Sequence, residues 1–269
     1  MTRAQTAQRP RRSARPVTDA VHAQVRHAEQ VSPQIRRVTI GSDDLAHFTV
    51  RGADQWFRLF LPQDGQLRPQ LPVTANWWQE LLAAPEHVRP IVRNYTVRAA
   101  RPEVGEIDID FVVHGDEGPA SRWALRAEPG DWVGLLDQGV LYEPPADTAW
   151  QLVVGDETAL PAIAGIVESM PADTHAFVFV ELPSADDEQP LRTGEHVHVS
   201  WLPRPAGAQP GSVVHDAVRA ARLPTGEPYV WLAGESKMVQ KLRRHLVGQR
   251  GVAKSSIEFT GYWRRGASH

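Results

Sequence analysis

"WQLVVGDETALPAIAGIVESM" spans residues 150–170, and its texture decides the architecture. It opens on a nearly continuous apolar run, Trp150 to Gly155, as expected of a strand buried on both faces. A polar turn, Asp156-Glu157-Thr158, leads into a helical pattern with Ile163, Ile166 and Val167 on one stripe. A buried strand feeding such a helix is the first half of a βαβ unit.

The same alternation continues downstream. "HAFVFVEL" (175–182), "EHVHVSWL" (195–202), "PYVWLAGE" (228–235) and "SSIEFTGYW" (255–263) read as strands. "GSVVHDAVRAARL" (211–223) and "SKMVQKLRRHLVGQRG" (236–251) read as helices, so a mostly parallel sheet is expected. Upstream the texture differs. "AQVRHAEQVSPQIRRVTIGS" (23–42) would give two strands with Val38 and Ile40 on one face. "QWFRLFLP" (55–62), "RNYTVRAA" (93–100), "EIDIDFVVH" (106–114) and "DWVGLLDQ" (131–138) add short period-two strands, the pattern of an antiparallel barrel. "TANWWQELLAAPEHVRP" (74–90) is the exception and predicts a short helix. The paired prolines of "YEPPADTAW" (142–150) mark a linker. The fold class expected is therefore β + α/β: a basic, disordered tail over 1–17, an antiparallel β-barrel domain over 18–145, and a parallel-sheet, nucleotide-binding-type α/β domain over 146–269.

Composition narrows the function. No apolar run approaches the roughly 18 residues a membrane helix needs, so no membrane partner is expected. A net charge of -3 argues against nucleic acid as the main partner. The absence of cysteine excludes disulfides, thiolate-held iron–sulfur clusters and thiol nucleophiles, and it fits a reducing cytoplasm. Arg11-Arg12 lacks the apolar core that a twin-arginine export signal requires.

Within "VRNYTVR" (92–98), side chains two apart share a face. Arg93 and Tyr95 point one way, Asn94 and Thr96 the other. A flavin needs a flat neighbour, a donor near its ring edge and a cation for its phosphates. Tyr95, Thr96 and Arg93 could supply these, the arginine through its bidentate fork. The bland alternative is a barrel tyrosine beside solvated arginines. "RNYT" nevertheless matches the Arg-x-Tyr-Ser/Thr motif of the ferredoxin-reductase superfamily. About twenty residues on, Gly118 and Ser121 open the helix "SRWALRA", whose free N–H groups would suit a pyrophosphate. An ordinary N-cap by Ser121 is the alternative there.

"RNYTVR", "HGDEGPASRWA", "GDETALPAI", "WLAGES…LRRHLV" and "GYWRRG", in this order, resemble the siderophore-interacting proteins, FAD-dependent ferric-siderophore reductases. The resemblance covers nearly everything after the basic tail. It implies FAD held by Arg93, Asn94, Tyr95 and Thr96, and a pyrophosphate loop of His114, Gly115, Gly118, Pro119, Ala120 and Ser121. It also implies a ferric siderophore as substrate, met by Arg58 and Arg264, which are otherwise solvated surface arginines. Where many members carry a Gly-Pro-Arg-Gly turn, this chain reads "GLLDQGVLY", with Asp137 and Gln138 in place of a basic corner.

The electron donor is less legible. "VVGDETALPAI" lacks the G-x-G-x-x-G fingerprint, and Asp156 and Glu157 would repel a pyrophosphate, although Thr158, beside Ala159, could donate to one. Glu181 ends the second strand of this half, where an acid would bind ribose hydroxyls and favour NADH over NADPH. Glu235 and Ser236 fall where the superfamily approaches a nicotinamide, or simply cap the next helix. A reduced ferredoxin is the other expected donor. His196 and His198 share a strand face without a third ligand, so no metal site is expected. A general flavin reductase, an oxygenase's electron-supplying component and a flavin-free siderophore carrier remain as competing readings.

Overall fold

The computed structural model describes residues 20–74, 76–113 and 118–266; the tail expected over 1–17 lies outside them. Seven strands form the first sheet: β1 (Val21–Ser32), β2 (Ile35–Gly41), β3 (Trp56–Leu61), β4 (Ile91–Thr96), β5 (Ala99–Arg101), β6 (Glu106–Val112) and β7 (Trp132–Gly139). Their order is β4-β3-β7-β1-β2-β6-β5, and each paired neighbour is antiparallel. The single strand expected over 93–100 is two, and the break closes the barrel. Val97 donates its backbone N–H to Gln55 beside β3, while Arg98 donates to Asp108 in β6. One chain segment thus serves both edges of the sheet, which leaves few unpaired backbone groups. Inside lie Val25, Val38, Ile40, Phe57, Leu59 and Ile109. The outer wall near Phe60 and Leu136 is covered by α1 (Trp77–Ala83), and α2 (Pro119–Arg126) lies beside β4 and β6.

The second sheet is wholly parallel, with β8 (Trp150–Asp156), β9 (Ala176–Leu182), β10 (Val197–Pro203), β11 (Pro228–Glu235) and β12 (Ile257–Trp263) in the order β10-β9-β8-β11-β12. α3 (Leu160–Ser169) packs on one face; α4 (Ser212–Ala220) and α5 (Ser236–Gln249) pack on the other. Both faces are therefore covered, which explains why β8 and β11 are buried along their entire lengths. The strand order reverses between β8 and β11. A doubly wound sheet opens its ligand crevice at that point, outside the carboxyl ends of the strands. No helix among the described residues is long and apolar enough to cross a membrane.

Candidate functional site

Cross-strand pairing places Arg93 opposite Leu59 and Tyr95 opposite Phe57, so both share the face of core-lining side chains. The Tyr95 ring lies 4.4 Å from Phe111, and Phe111 lies 5.6 Å from Trp123 of α2. This run of three rings carries the start of α2 up to β4. Burial pushes the Tyr95 phenol well above its ordinary range, with the Arg93 charge opposing. Arg93 is half-buried, which lowers its own affinity for the proton, and it donates to the Val92 carbonyl at 2.8 Å.

α2 begins with Pro119 at its first position, where the missing N–H costs nothing. The residue before it, Gly118, has φ 90°, and nothing lies within 4 Å of where a Cβ would stand. Gly118, at the N-cap, offers no side chain to cap this helix. Ala120 is buried and Ser121 half-buried on the following turn; His114 and Gly115 lie outside the described residues. A helix start at a glycine, with an arginine on the adjoining strand and a tyrosine beside it, is a donor set that fits the pyrophosphate of FAD.

The opposite face of β4 is different. Asn94 is exposed and its Oδ1 accepts from Arg58 Nη1 at 3.1 Å. The Arg58 guanidinium stands 4.3 Å from the Trp77 ring centroid and 5.6 Å from that of Trp56. Burial depresses its pKa, and its Nε has no partner among the described residues. Arg58 is thus held between indoles rather than solvated. Thr96 is buried and hydrogen-bonds the phenol of Tyr262, on the last strand. Two residues beyond Tyr262, Arg264 is exposed.

The strand-end acids are hydrogen-bonded within the protein itself. Asp156, with 0% exposure, ends β8 at the point of strand reversal. Its Oδ1 accepts from Thr158 N at 3.0 Å and Oγ1 at 2.5 Å, and its Oδ2 from Glu235 N at 2.7 Å and Trp263 Nε1 at 2.9 Å. Burial, reinforced by Glu157, pushes its pKa up to about 6. Gly234, at φ 130°, has no Cβ because one would strike this carboxylate. Glu181, also at 0%, accepts from Gly211 N (2.6 Å) and Arg204 Nη1 (3.1 Å) through Oε1 and from Val214 N (2.9 Å) through Oε2. Arg204 in turn pairs with Glu157 at 2.7 Å. Glu235 caps α5, accepting from Lys237 N at 2.6 Å and Met238 N at 2.9 Å; Ser236 Oγ donates to the Trp263 carbonyl at 2.8 Å. Ala159 is buried. Both oxygens of the buried Glu181 are thus engaged within the protein, and Glu235 takes the capping role that the sequence left open.

Asp187 and Arg98 went unremarked in the sequence because their partners are distant. Asp187, from the acidic "ADDEQ" run, is buried and accepts from Ser32 Oγ and Gln34 N of the barrel, both at 2.8 Å. Arg98 pairs with Glu168 of α3 at 3.0 Å. Asp137, at the substituted corner, pairs with Arg51 at 2.6 Å and accepts from Gln55 at 2.9 Å, so a local ion pair stabilises the turn. The rings of His196 and His175 stack at 4.5 Å, and His198 lies 5.3 Å from Phe177.

Comparison with known proteins agrees with this geometry. Residues 24–141 match the siderophore-interacting FAD-binding domain, and residues 148–266 match the siderophore-interacting protein family. The chain is 35% identical over 242 residues to the ferric vibriobactin reductase ViuB of Vibrio cholerae, spanning 88% of this chain and 86% of that protein. It is 29% identical to the NADPH-dependent ferric-chelate reductase of Escherichia coli, over 89% of this chain and 91% of that one. The crystal structure of a siderophore utilization protein from T. fusca superposes with a TM-score of 0.81 at 34% identity, covering 94% of this chain and 95% of that one. A barrel carrying the Arg-x-Tyr-Thr strand, joined to a parallel sheet and matched along both halves, places this chain in the siderophore-interacting protein family.

Proposed function

We propose that the chain is an FAD-dependent ferric-siderophore reductase of the cytoplasm, with residues 18–145 holding the flavin and residues 146–269 facing the electron donor. The observation that carries this reading is the juxtaposition of Arg93 and Tyr95 on β4 with the start of α2 at Gly118. Arg93 and the first amides of α2 would hold the pyrophosphate, Tyr95 would flank the ribityl and ring, and Thr96 would stand at the ring edge between the two domains. The bound flavin would supply the redox chemistry, accepting a hydride from a nicotinamide or single electrons from a ferredoxin-type carrier and returning single electrons to the acceptor. Arg58, held against Trp77 and paired with Asn94, and Arg264 would attract an anionic ferric chelate. Reduction to Fe(II) weakens binding to hard oxygen ligands, which releases the iron. No protein acid or base is required, consistent with acids that are all internally committed at the strand ends.

The test is the visible spectrum of the purified protein with FAD, followed anaerobically through addition of a reduced nicotinamide and then of a ferric siderophore. Flavin bands that bleach and return with iron support the reading. Bands that return only with oxygen or free flavin favour a general flavin reductase, and a protein that takes up no flavin refutes the proposal.

A further inference from the structure

The ladder between β3 and β4 sets Trp56 opposite Thr96, Arg58 opposite Asn94 and Phe60 opposite Val92. These residues share the outer face of the barrel wall, because Phe57, Leu59, Arg93 and Tyr95 alternate with them and turn the other way. The row starts at the seam between the domains, where Thr96 meets Tyr262, and each step along it is about 7 Å. Its far end is roofed by α1, whose Trp77 stands edge-on to Phe60 at 6.4 Å. Arg58, the cation proposed above to meet the ferric chelate, thus lies in the middle of a row that begins where the edge of the proposed flavin would lie.

That cation is framed by indoles and pairs with no acid among the described residues. Its guanidinium stands 4.3 Å from the Trp77 ring centroid and 5.6 Å from that of Trp56. Its hydrogen bond goes to the neutral amide of Asn94, and its Nε is buried without a partner among those residues. Arg37, Arg51, Arg98, Arg101 and Arg204 each pair with a carboxylate instead. Glu80, the acid of α1, is engaged elsewhere: it accepts from Val73 N at 3.0 Å and from Thr74 Oγ1 at 2.8 Å. Trp78 inclines steeply to Trp77, with centroids 5.3 Å apart, and is 52% exposed; Leu82, one turn on, is exposed as well. Trp78 belongs to no buried cluster among the described residues, so core packing does not account for it. Three of the chain's nine tryptophans therefore gather around one uncompensated arginine.

We propose that Trp56, Arg58, Trp77 and Trp78 form a shelf that recognises aryl rings, so that the chelate this chain prefers holds its iron through aryl oxygens, as catecholates and phenolates do, rather than through aliphatic hydroxamates. This deepens the reductase reading above and rests on it. A flat aryl ring finds indole faces and edges to pack on, while its anionic oxygens find the guanidinium fork. A ferric tris-catecholate is anionic and walled by rings, so it meets both halves of the shelf. A ferric tris-hydroxamate is uncharged at the metal and aliphatic, so it meets neither. The indoles also shield the arginine from water, which strengthens its attraction for an anionic ring over that of a solvated surface cation.

The experiment uses gallium(III), which takes the same ligands as Fe(III) but is not reduced, so binding is read apart from electron transfer. Titration calorimetry compares FAD-loaded protein against gallium complexes of a hexadentate tricatechol and a linear trihydroxamate, and against gallium citrate, an aliphatic anion. Wild type should bind the tricatechol complex about tenfold or more tightly than either of the others. Trp78→Ala should weaken that complex about three- to tenfold and leave gallium citrate unchanged, and Trp78→Phe should restore it. Arg58→Gln should weaken both anions. Circular dichroism and FAD affinity check that the barrel of each variant is intact. A wild type that binds the three complexes alike, or favours either aliphatic one, overturns the proposal; so does a preference that Trp78→Ala leaves unchanged. If that protein still holds FAD and reduces ferric chelates, the reductase reading stands. Protein that takes up no FAD refutes that reading, and this proposal with it. Phosphatidylglycerol vesicles bound by wild type, but not by Trp78→Ala, would assign the shelf to a membrane surface and overturn the proposal.

Discussion

Asp54, at the mouth of the barrel, accepts the indole N–H of Trp231 at 3.0 Å from the middle of the second sheet. The same carboxylate, 1% exposed, accepts from the backbone N–H groups of Leu141 and Tyr142 in the linker, each at 3.0 Å. One buried acid therefore ties both domains and the segment joining them. It fixes the seam along which Thr96 meets Tyr262.

Replacing Asp54 with alanine leaves one buried and two half-buried donors without their acceptor. Each such loss costs about 1–3 kcal/mol, so Asp54→Ala should destabilise the fold by roughly 3 kcal/mol or more. Urea denaturation of the purified variant measures this directly. A change below about 1 kcal/mol would show that the clamp is not energetically coupled to the fold.

Two glycines should respond in opposite directions. Gly165 of α3 lies against the Ala53 carbonyl oxygen, which an added Cβ would overlap, so Gly165→Ala should cost about 1–3 kcal/mol by forcing the domains apart. Gly248, near the end of α5, has nothing within 4 Å of its Cβ position, and Gly248→Ala should stabilise by roughly 0.5–1 kcal/mol. Thermal melts of the pair check both signs.

The buried Asp156 predicts a particular pH dependence. Its pKa is raised from 3.8 to about 6, so between those values the folded protein binds more protons than the unfolded chain. Its contribution is fully present below the unfolded pKa and is lost as pH rises through about 6. Other carboxylates, such as Asp108 beside Arg101, are shifted down and act in the opposite sense. The difference between wild type and Asp156→Asn isolates the contribution: wild type should lose stability relative to the variant as pH rises from 4 toward 7. A constant difference across that range would contradict the assignment.

Arg93→Ala removes the cation proposed for the FAD pyrophosphate. A charged hydrogen bond of about 1.5–3 kcal/mol corresponds to about a ten- to hundredfold weaker FAD affinity. Fluorescence titration of the apoprotein with FAD measures it, and circular dichroism checks that the barrel is retained. Unchanged affinity would move the phosphate site away from β4.

Because Glu181 is committed to Gly211, Val214 and Arg204, it cannot reject a 2′-phosphate. Anaerobic flavin reduction by NADH and by NADPH should therefore differ by less than about tenfold at equal concentration, where an accessible strand-end acid would favour NADH. A strong NADH preference would mean that Glu181 is released on binding.

The sequence by itself determined both sheets, because period-two strands on one side of Pro145 and apolar strands alternating with helices on the other are local signals. The strand carrying Arg93 and Tyr95 and the helix start at Gly118 were legible for the same reason, each being a short local pattern; that the two adjoin is a tertiary fact. Only the tertiary structure decided what the strand-end acids do. Asp156, Glu181 and Glu235 occupy positions where an anionic or nicotinamide site would be read, yet each has its oxygens claimed by amides, an indole or an arginine from elsewhere in the chain. Asp54 and Asp187 likewise accept from partners far along the chain, Asp187 through Oδ1. A buried carboxylate's role depends on which donors the fold brings to it, and in a low-dielectric interior those donors must be found or the charge is not kept.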